Sequence, residues 1–139
     1  MRRAQPADIE GYLARQPPAH AATVRELLRV LAEEFPELGF RLAWNVPHAV
    51  LGPAYVAGVS CARGHVAFSP WSRAALAAHR DRLGDLDATP NLIRVPPGWK
   101  VDRALIAGLV SARLAELAGV PAPRPGAAKG LPRRPRRPK

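Results

Sequence analysis

The chain has 139 residues, a mass of 15.0 kDa and an apolar fraction of 47%, which suffices for one globular domain with its own core. Its formal net charge is +10, from 21 Lys and Arg against 11 Asp and Glu. The single cysteine excludes an intrachain disulfide, and the N-terminus lacks the apolar stretch of a signal peptide. We therefore expect a cytoplasmic protein without a membrane span.

Two helices are predicted at the N-terminal end. The first covers residues 6–15, with a proline in its first turn and acidic residues near its positive end. The second begins after Pro17 and ends at Pro36, and its apolar residues recur at the three- and four-residue spacing of a core-facing side. This apolar stripe consists of Val24, Leu27, Leu28, Leu31 and Phe35.

From Gly39 the apolar period changes to two, which is typical of half-buried strands. Phe40, Leu42 and Trp44 alternate with other residues in a first strand, and residues 45–47 are predicted to form a turn. The following strands are predicted at residues 50–51, 55–61 and 65–69, and residues 62–64 join the last two as a hairpin.

The second half of the chain is predicted to add two helices and one strand. Ser72 is a suitable cap for a helix over residues 73–83, and residues 92–95 read as a strand. Asp102 is a suitable cap for a final helix over residues 103–118, which Gly119 ends.

Strands that follow one another through short turns predict an antiparallel sheet. The fold class is therefore α+β, with the sheet covered by the N- and C-terminal helices. Residues 1–118 are predicted to form this domain. Residues 119–139 are rich in Arg and Pro and lack apolar periodicity, so we expect a disordered basic tail.

The order of these elements and several local motifs resemble the YdhG-like domain-of-unknown-function family over residues 6–118. The motifs are Trp44-Asn45-Val46-Pro47, Arg63-Gly64-His65-Val66-Ala67-Phe68, Asn91-Leu92-Ile93-Arg94-Val95 and Leu105-Ile106-Ala107-Gly108-Leu109-Val110. The resemblance implies a YdhG-like fold. It also implies a function as a frataxin-like intracellular iron chaperone, with iron as the cofactor or cargo.

Two acidic groups are candidate metal ligands, because iron accepts carboxylate oxygen. The predicted metal site is Glu33, Glu34 and Glu37 around the end of the second helix, and the alternative is Asp81, Asp85 and Asp87. Solvated carboxylates at helix ends explain the same residues without a metal.

Aromatic and histidine residues at the ends of the predicted strands suggest an apolar pocket for a small ligand. The predicted lining is Trp44, Pro47, His48, Tyr55, His65 and Trp71, and Trp99 also lies where a strand meets a loop. The alternative is that the aromatic residues close the edges of a small core and that the histidines have ordinary hydrogen-bonding roles.

The C-terminal residues are the strongest charge feature. Arg133, Arg134, Arg136, Arg137 and Lys139 could neutralise phosphates without reading a base sequence, so a nucleic acid or another anionic partner is predicted to bind there. A tail that only aids solubility is the alternative.

No catalytic motif is found in the sequence, and no catalytic residue is assigned. Cys61 lies in an apolar strand and is predicted to be an inert, buried thiol. Three hypotheses for a non-enzymatic protein remain: an iron-binding chaperone, a nucleic-acid accessory protein acting through its tail, and a small-ligand binder using the aromatic residues.

Overall fold

The computed structural model describes residues 6–119, which fold into four helices and a six-stranded sheet. In chain order the elements are α1 (Pro6–Ala14), α2 (Pro18–Glu34), β1 (Gly39–Ala43), β2 (Val46–Leu51), β3 (Ala54–Cys61), β4 (Val66–Ser69), α3 (Arg73–Ala78), a 3-10 turn (Arg80–Arg82), β5 (Asp87–Ala88), β6 (Ile93–Val95) and α4 (Arg103–Ala118). None of the helices in this part of the chain combines the length and the apolar character needed to span a bilayer.

The sheet has the order β1-β2-β3-β4-β6-β5, and every neighbouring pair is antiparallel. This arrangement confirms the predicted α+β class. Two-residue loops join β1 to β2 and β2 to β3, because Ala43 pairs with Val46 and Leu51 pairs with Ala54. Such short loops bring the first three strands into register over most of their length.

One face of the sheet carries the core. Successive residues of a strand point to opposite faces, so the paired residues Phe40, Ala49 and Ala57 share the face that packs on the helices. Helix α1 contacts β1 and β2, while α2 contacts β3, β4 and α4. The core is mostly aliphatic and includes Leu27, Leu31, Ile93, Ile106 and Leu109 together with the aromatic Phe68, all with almost no exposed surface.

The final helix is confirmed at both ends. The Asp102 side chain accepts a hydrogen bond from the Leu105 backbone N–H at 3.1 Å, and Gly119 ends the helix in the left-handed conformation. Leu117 in the last turn of this helix is exposed.

The structure differs from the predicted elements in three places. The predicted turn at residues 45–47 lies one residue earlier, at Trp44-Asn45, and Pro47 is inside β2. The helix predicted over residues 73–83 ends at Ala78 and continues as the 3-10 turn. The short strand Asp87–Ala88 was not predicted. The predicted tail lies outside the described residues from residue 120 onward.

Candidate ligand-binding surface

A row of four paired residues crosses the face of the sheet opposite the core. Arg41 pairs with His48, His48 with Gly58, and Gly58 with Ser69. Residues paired in this way in antiparallel strands lie side by side on one face. The row therefore brings a guanidinium and an imidazole close together at the centre of β1, β2 and β3.

Two tryptophans with unusual backbone conformations flank this row. Trp44 and Asn45 form the β1–β2 loop with φ of 51° and 63°, as a type I′ hairpin turn requires. Trp71, just before α3, has φ of 54°. The left-handed region is unfavourable for a bulky side chain, by roughly 1–2 kcal/mol per residue. Both indole rings are thus held by backbone conformations that tryptophan rarely adopts.

The rings of Trp44, His48, Tyr55 and Trp71 all contact one another, and we call these four residues the aromatic cluster. The Tyr55 and Trp71 rings are stacked, with centroids 4.9 Å apart and an interplanar angle of 24°. Trp44 lies 5.0 Å from Tyr55 and 5.6 Å from Trp71, and His48 lies 5.3–5.8 Å from the other three rings. These centroid separations are in the range of favourable aromatic pairs.

His48 forms the floor of the aromatic cluster and is only 4% exposed. Its Nδ1–H donates a hydrogen bond to the Val46 carbonyl oxygen at 3.1 Å, and its Nε2 faces Gly58. Burial lowers the pKa of His48 from its ordinary value, and nearby Arg41 lowers that pKa further against the opposing effect of the Val46 carbonyl. The fold therefore favours the neutral form of the imidazole.

Two arginines hold Tyr55 in place. Arg41 Nη2 donates to the Tyr55 hydroxyl at 3.1 Å, with the guanidinium carbon 5.4 Å from the ring centroid. Arg113 of α4 donates twice to the Tyr55 carbonyl oxygen, from Nε at 3.0 Å and from Nη2 at 2.9 Å. Arg113 thus holds the backbone of Tyr55, and Arg41 contacts its side chain beside the Trp71 ring.

The segment that carries Trp71 is also tied to α4. The Ser72 hydroxyl caps α3 by accepting from the Ala75 N–H at 2.9 Å and donates to Glu116 Oε2 at 2.5 Å. Arg113 Nη1 lies 3.3 Å from Glu116 Oε1. The Glu116 carboxylate that these contacts bring to the segment after Trp71 is thus already paired with a hydroxyl and a guanidinium.

The four rings of the aromatic cluster leave no space for a ligand between them, because their centroids are less than 6 Å apart. Their outer faces are accessible instead: Trp44 is 66% exposed and Trp71 is 36% exposed. The predicted pocket is therefore a solid aromatic surface, on which a flat ligand would stack from outside.

The other predicted lining residues lie elsewhere. Pro47 is buried, and by strand alternation it faces the side of β2 opposite His48. His65 follows the end of β3 that is farthest from Tyr55, so it does not reach the aromatic cluster. Trp99 is half-buried and packs against the hydrophobic core.

The predicted metal ligands are engaged by arginines. Arg103 donates to Glu33 at 2.7 Å and to Glu34 at 2.8 Å, and Arg29 contacts Glu33 at 2.7 Å. These contacts lower the pKa of Glu33. Glu37 is exposed beyond α2. Across residues 6–119, no three His, Cys, Asp or Glu side chains come together in a group that could hold a metal ion.

The alternative acidic group is also dispersed. Asp87 pairs with Arg94 across β5 and β6, which lowers the pKa of Asp87, whereas Asp81 and Asp85 are exposed in the preceding turn and loop. The predicted anion-binding residues of the tail, from Arg133 to Lys139, lie outside the described part of the chain.

Sequence reasoning missed Arg41, Arg113 and Gly58 as parts of this surface. Arg41 was detectable as the polar position of an alternating strand, and Gly58 as a glycine inside a strand, which often marks close approach of another group. Arg113 had no such signal, because its role depends on how α4 packs beside β3.

No protein-family model matches the chain, and no curated protein matches it. A solved structure that matches is the crystal structure of YdhG from Bacillus subtilis, a protein from the DUF1801 family. The two chains share 25% sequence identity, with a TM-score of 0.74 over 81% of this chain and 92% of that one. The domain is thus YdhG-like in fold, in agreement with the resemblance seen in the sequence.

Proposed function

We propose that this protein is a non-enzymatic binding protein and that its binding surface is the aromatic cluster. The observation that carries the proposal is the conformation of Trp44 and Trp71, which are exposed yet held at positive φ. Backbone strain at an exposed position concentrates at ligand-binding and active sites, where the surrounding structure enforces it.

A purely structural role accounts poorly for Trp44. A two-residue type I′ loop favours Asn or Gly, and a Trp there must offset its backbone cost through burial. With 66% of its surface exposed, Trp44 gains little from burial. A ligand stacked on its outer face would supply the burial that the folded protein alone does not.

Iron carriage, the function implied by the family resemblance, has less support. Its candidate ligands Glu33 and Glu34 are bound to Arg103. An iron ion would have to displace the arginine before it could bind both carboxylates. Iron binding stays a hypothesis, and a frataxin-like role depends on it.

The proposal can be tested by NMR titration of the full chain with a panel of planar aromatic fragments. Each of the three tryptophans gives its own indole N–H signal, so binding at each ring is followed separately. Trp99 serves as the internal control because it packs against the core. We expect shifts for Trp44 and Trp71 and none for Trp99. Fragments that shift no indole signal, or shift all three equally, would argue against the aromatic cluster as the binding surface.

A further inference from the structure

We propose that the ligand of the aromatic cluster is a nucleotide, meaning a planar base that carries phosphate, either free or within a single strand. This inference rests on the proposed function and adds the ligand's charge to it. Two observations support it: the distribution of charged residues around the aromatic cluster, and the placement of one arginine at its edge.

The strands that build the aromatic cluster carry no negative charge. Between Glu37 and Asp81 the sequence contains no Asp or Glu, and its charged residues there are all arginines. These arginines are Arg41, Arg63, Arg73 and Arg80, of which Arg41 contacts the Tyr55 ring whereas Arg63 lies beyond the remote end of β3. A surface that combines exposed aromatic rings with unopposed positive charge suits an aromatic anion.

Arg41 is placed to bind the anionic part of such a ligand. It is exposed on the face of the aromatic cluster, and one of its N–H groups bonds to the Tyr55 hydroxyl. None of the ion pairs among residues 6–119 involves it. A guanidinium has five N–H donors, so most of them remain for phosphate oxygens while the base stacks on the neighbouring rings.

A cationic ligand fits this surface less well, although exposed tryptophans can bind ammonium groups. Such a ligand would gain from a free carboxylate beside the rings. Glu116 bonds to Ser72, the residue after Trp71, and its two carboxylate oxygens are already engaged by Ser72 and Arg113. Arg41 on the other side would repel a cation, so the charge favours phosphate.

The basic C-terminal residues complicate any binding test, because they attract polyanions without specificity. The experiment therefore compares point variants of the full chain that all keep the same tail. Arg41→Gln removes the proposed phosphate contact. Arg63→Gln is the matched control, since Arg63 is an exposed arginine in the β3–β4 loop, beyond the end of β3 that is remote from Tyr55.

Each protein is titrated with adenosine, adenosine monophosphate and a single-stranded oligodeoxyadenylate of about six nucleotides, followed by tryptophan fluorescence. We expect the monophosphate to bind the wild type more tightly than adenosine does. Arg41→Gln is expected to weaken monophosphate binding about tenfold, as the loss of a charged hydrogen bond implies. Arg63→Gln is expected to leave it unchanged, and melting curves confirm that both variants are folded.

The oligonucleotide identifies the source of the nucleotide. If the wild type binds the oligomer more tightly than the monophosphate, and Arg41→Gln weakens oligomer binding although it keeps the tail, the natural ligand is a single strand. If the oligomer and the monophosphate bind with equal affinity, the natural ligand is a free nucleotide. If adenosine and its monophosphate bind equally well, the phosphate inference is overturned while the aromatic surface stands. Equal losses in Arg41→Gln and Arg63→Gln also overturn it. If neither these ligands nor the planar fragments bind, the proposed function itself fails.

Discussion

Gly58 lies directly opposite His48 in the β2–β3 pair, and a Cβ atom added at Gly58 would lie 2.9 Å from Nε2 of His48. The imidazole therefore occupies the volume that a side chain at position 58 would fill. Because the same ring contacts Trp44, Tyr55 and Trp71, the arrangement of the aromatic cluster depends on this glycine.

Gly58→Ala is expected to lower the free energy of unfolding by about 1–3 kcal/mol, the usual cost of an added atom in a packed site. The imidazole must move, so the tryptophan emission should change as well. Urea unfolding followed by fluorescence measures both effects. Gly64→Ala is the control, since a Cβ there meets nothing within 4 Å. Equal stability of the two variants would show that His48 is not confined by Gly58.

The stability of the fold should depend on the protonation of His48. Burial lowers its pKa below the ordinary value of 6.5, so the unfolded chain binds a proton more readily than the folded one. The contribution of His48 to stability is complete above pH 6.5 and declines as the pH falls from 6.5 through the lower folded pKa. We expect His48→Asn to reduce the difference in unfolding free energy between about pH 8 and about pH 5.5.

Protonation of carboxylates whose pKa is lowered in the folded protein, such as Glu10, Glu33 and Asp87, also reduces the free energy of unfolding in acid. These carboxylates are present in both the wild type and His48→Asn, so their effect on the pH dependence cancels when the two proteins are compared. An unchanged pH dependence in His48→Asn would mean that the imidazole is not held in its neutral form by the fold.

A buried hydroxyl fixes the far end of β3 to α1. The Cys61 N–H donates to the Tyr12 hydroxyl at 2.9 Å, and burial raises the pKa of Tyr12 to about 12. Tyr12→Phe leaves this N–H without its acceptor and is expected to destabilise the protein by about 1–3 kcal/mol. Tyr55→Phe loses only an exposed bond from Arg41 and should cost less than about 1 kcal/mol. Chemical denaturation of both variants compares the two losses of unfolding free energy. A loss in Tyr12→Phe no larger than that in Tyr55→Phe would show that the Tyr12 hydroxyl is dispensable.

The acidic end of α2 tests the iron hypothesis separately. Since Arg103 and Arg29 already pair with these carboxylates, we expect replacing Glu33, Glu34 and Glu37 by Gln to leave iron(II) binding unchanged. Anaerobic calorimetry of the full chain, with zinc and magnesium as controls, makes the comparison. Stoichiometric iron binding by the wild type that the triple variant loses would restore the iron-chaperone hypothesis.

Local signals in the sequence predicted much of the fold. Helix α4 was predicted at its observed bounds because Asp102 and Gly119 are strong capping residues. The β1–β2 turn was misplaced because Pro47 suggested a turn, while Trp44 is a rare residue at positive φ. The two-residue strand β5 is too short for any periodic pattern and depends on its pairing with β6.

The aromatic surface was predictable in part. The sequence places Trp44, Tyr55 and Trp71 at or near the ends of predicted strands, where they could line one pocket, but it does not specify whether their rings meet. His65 was misplaced because a seven-residue run of β3 separates its loop from Tyr55, roughly 20 Å at the rise of an extended strand. Whether side chains form a pocket or a solid surface depends on packing distances, which no sequence pattern specifies.

The most direct test of the central claim compares two substitutions at one position. Trp44→Asn suits the left-handed turn and removes the ring, whereas Trp44→Phe keeps a ring. Affinity for adenosine monophosphate should fall about five- to hundredfold in Trp44→Asn, as the loss of one stacked base implies, and only modestly in Trp44→Phe. Wild-type affinity in Trp44→Asn would contradict the assignment of the aromatic cluster as the binding surface.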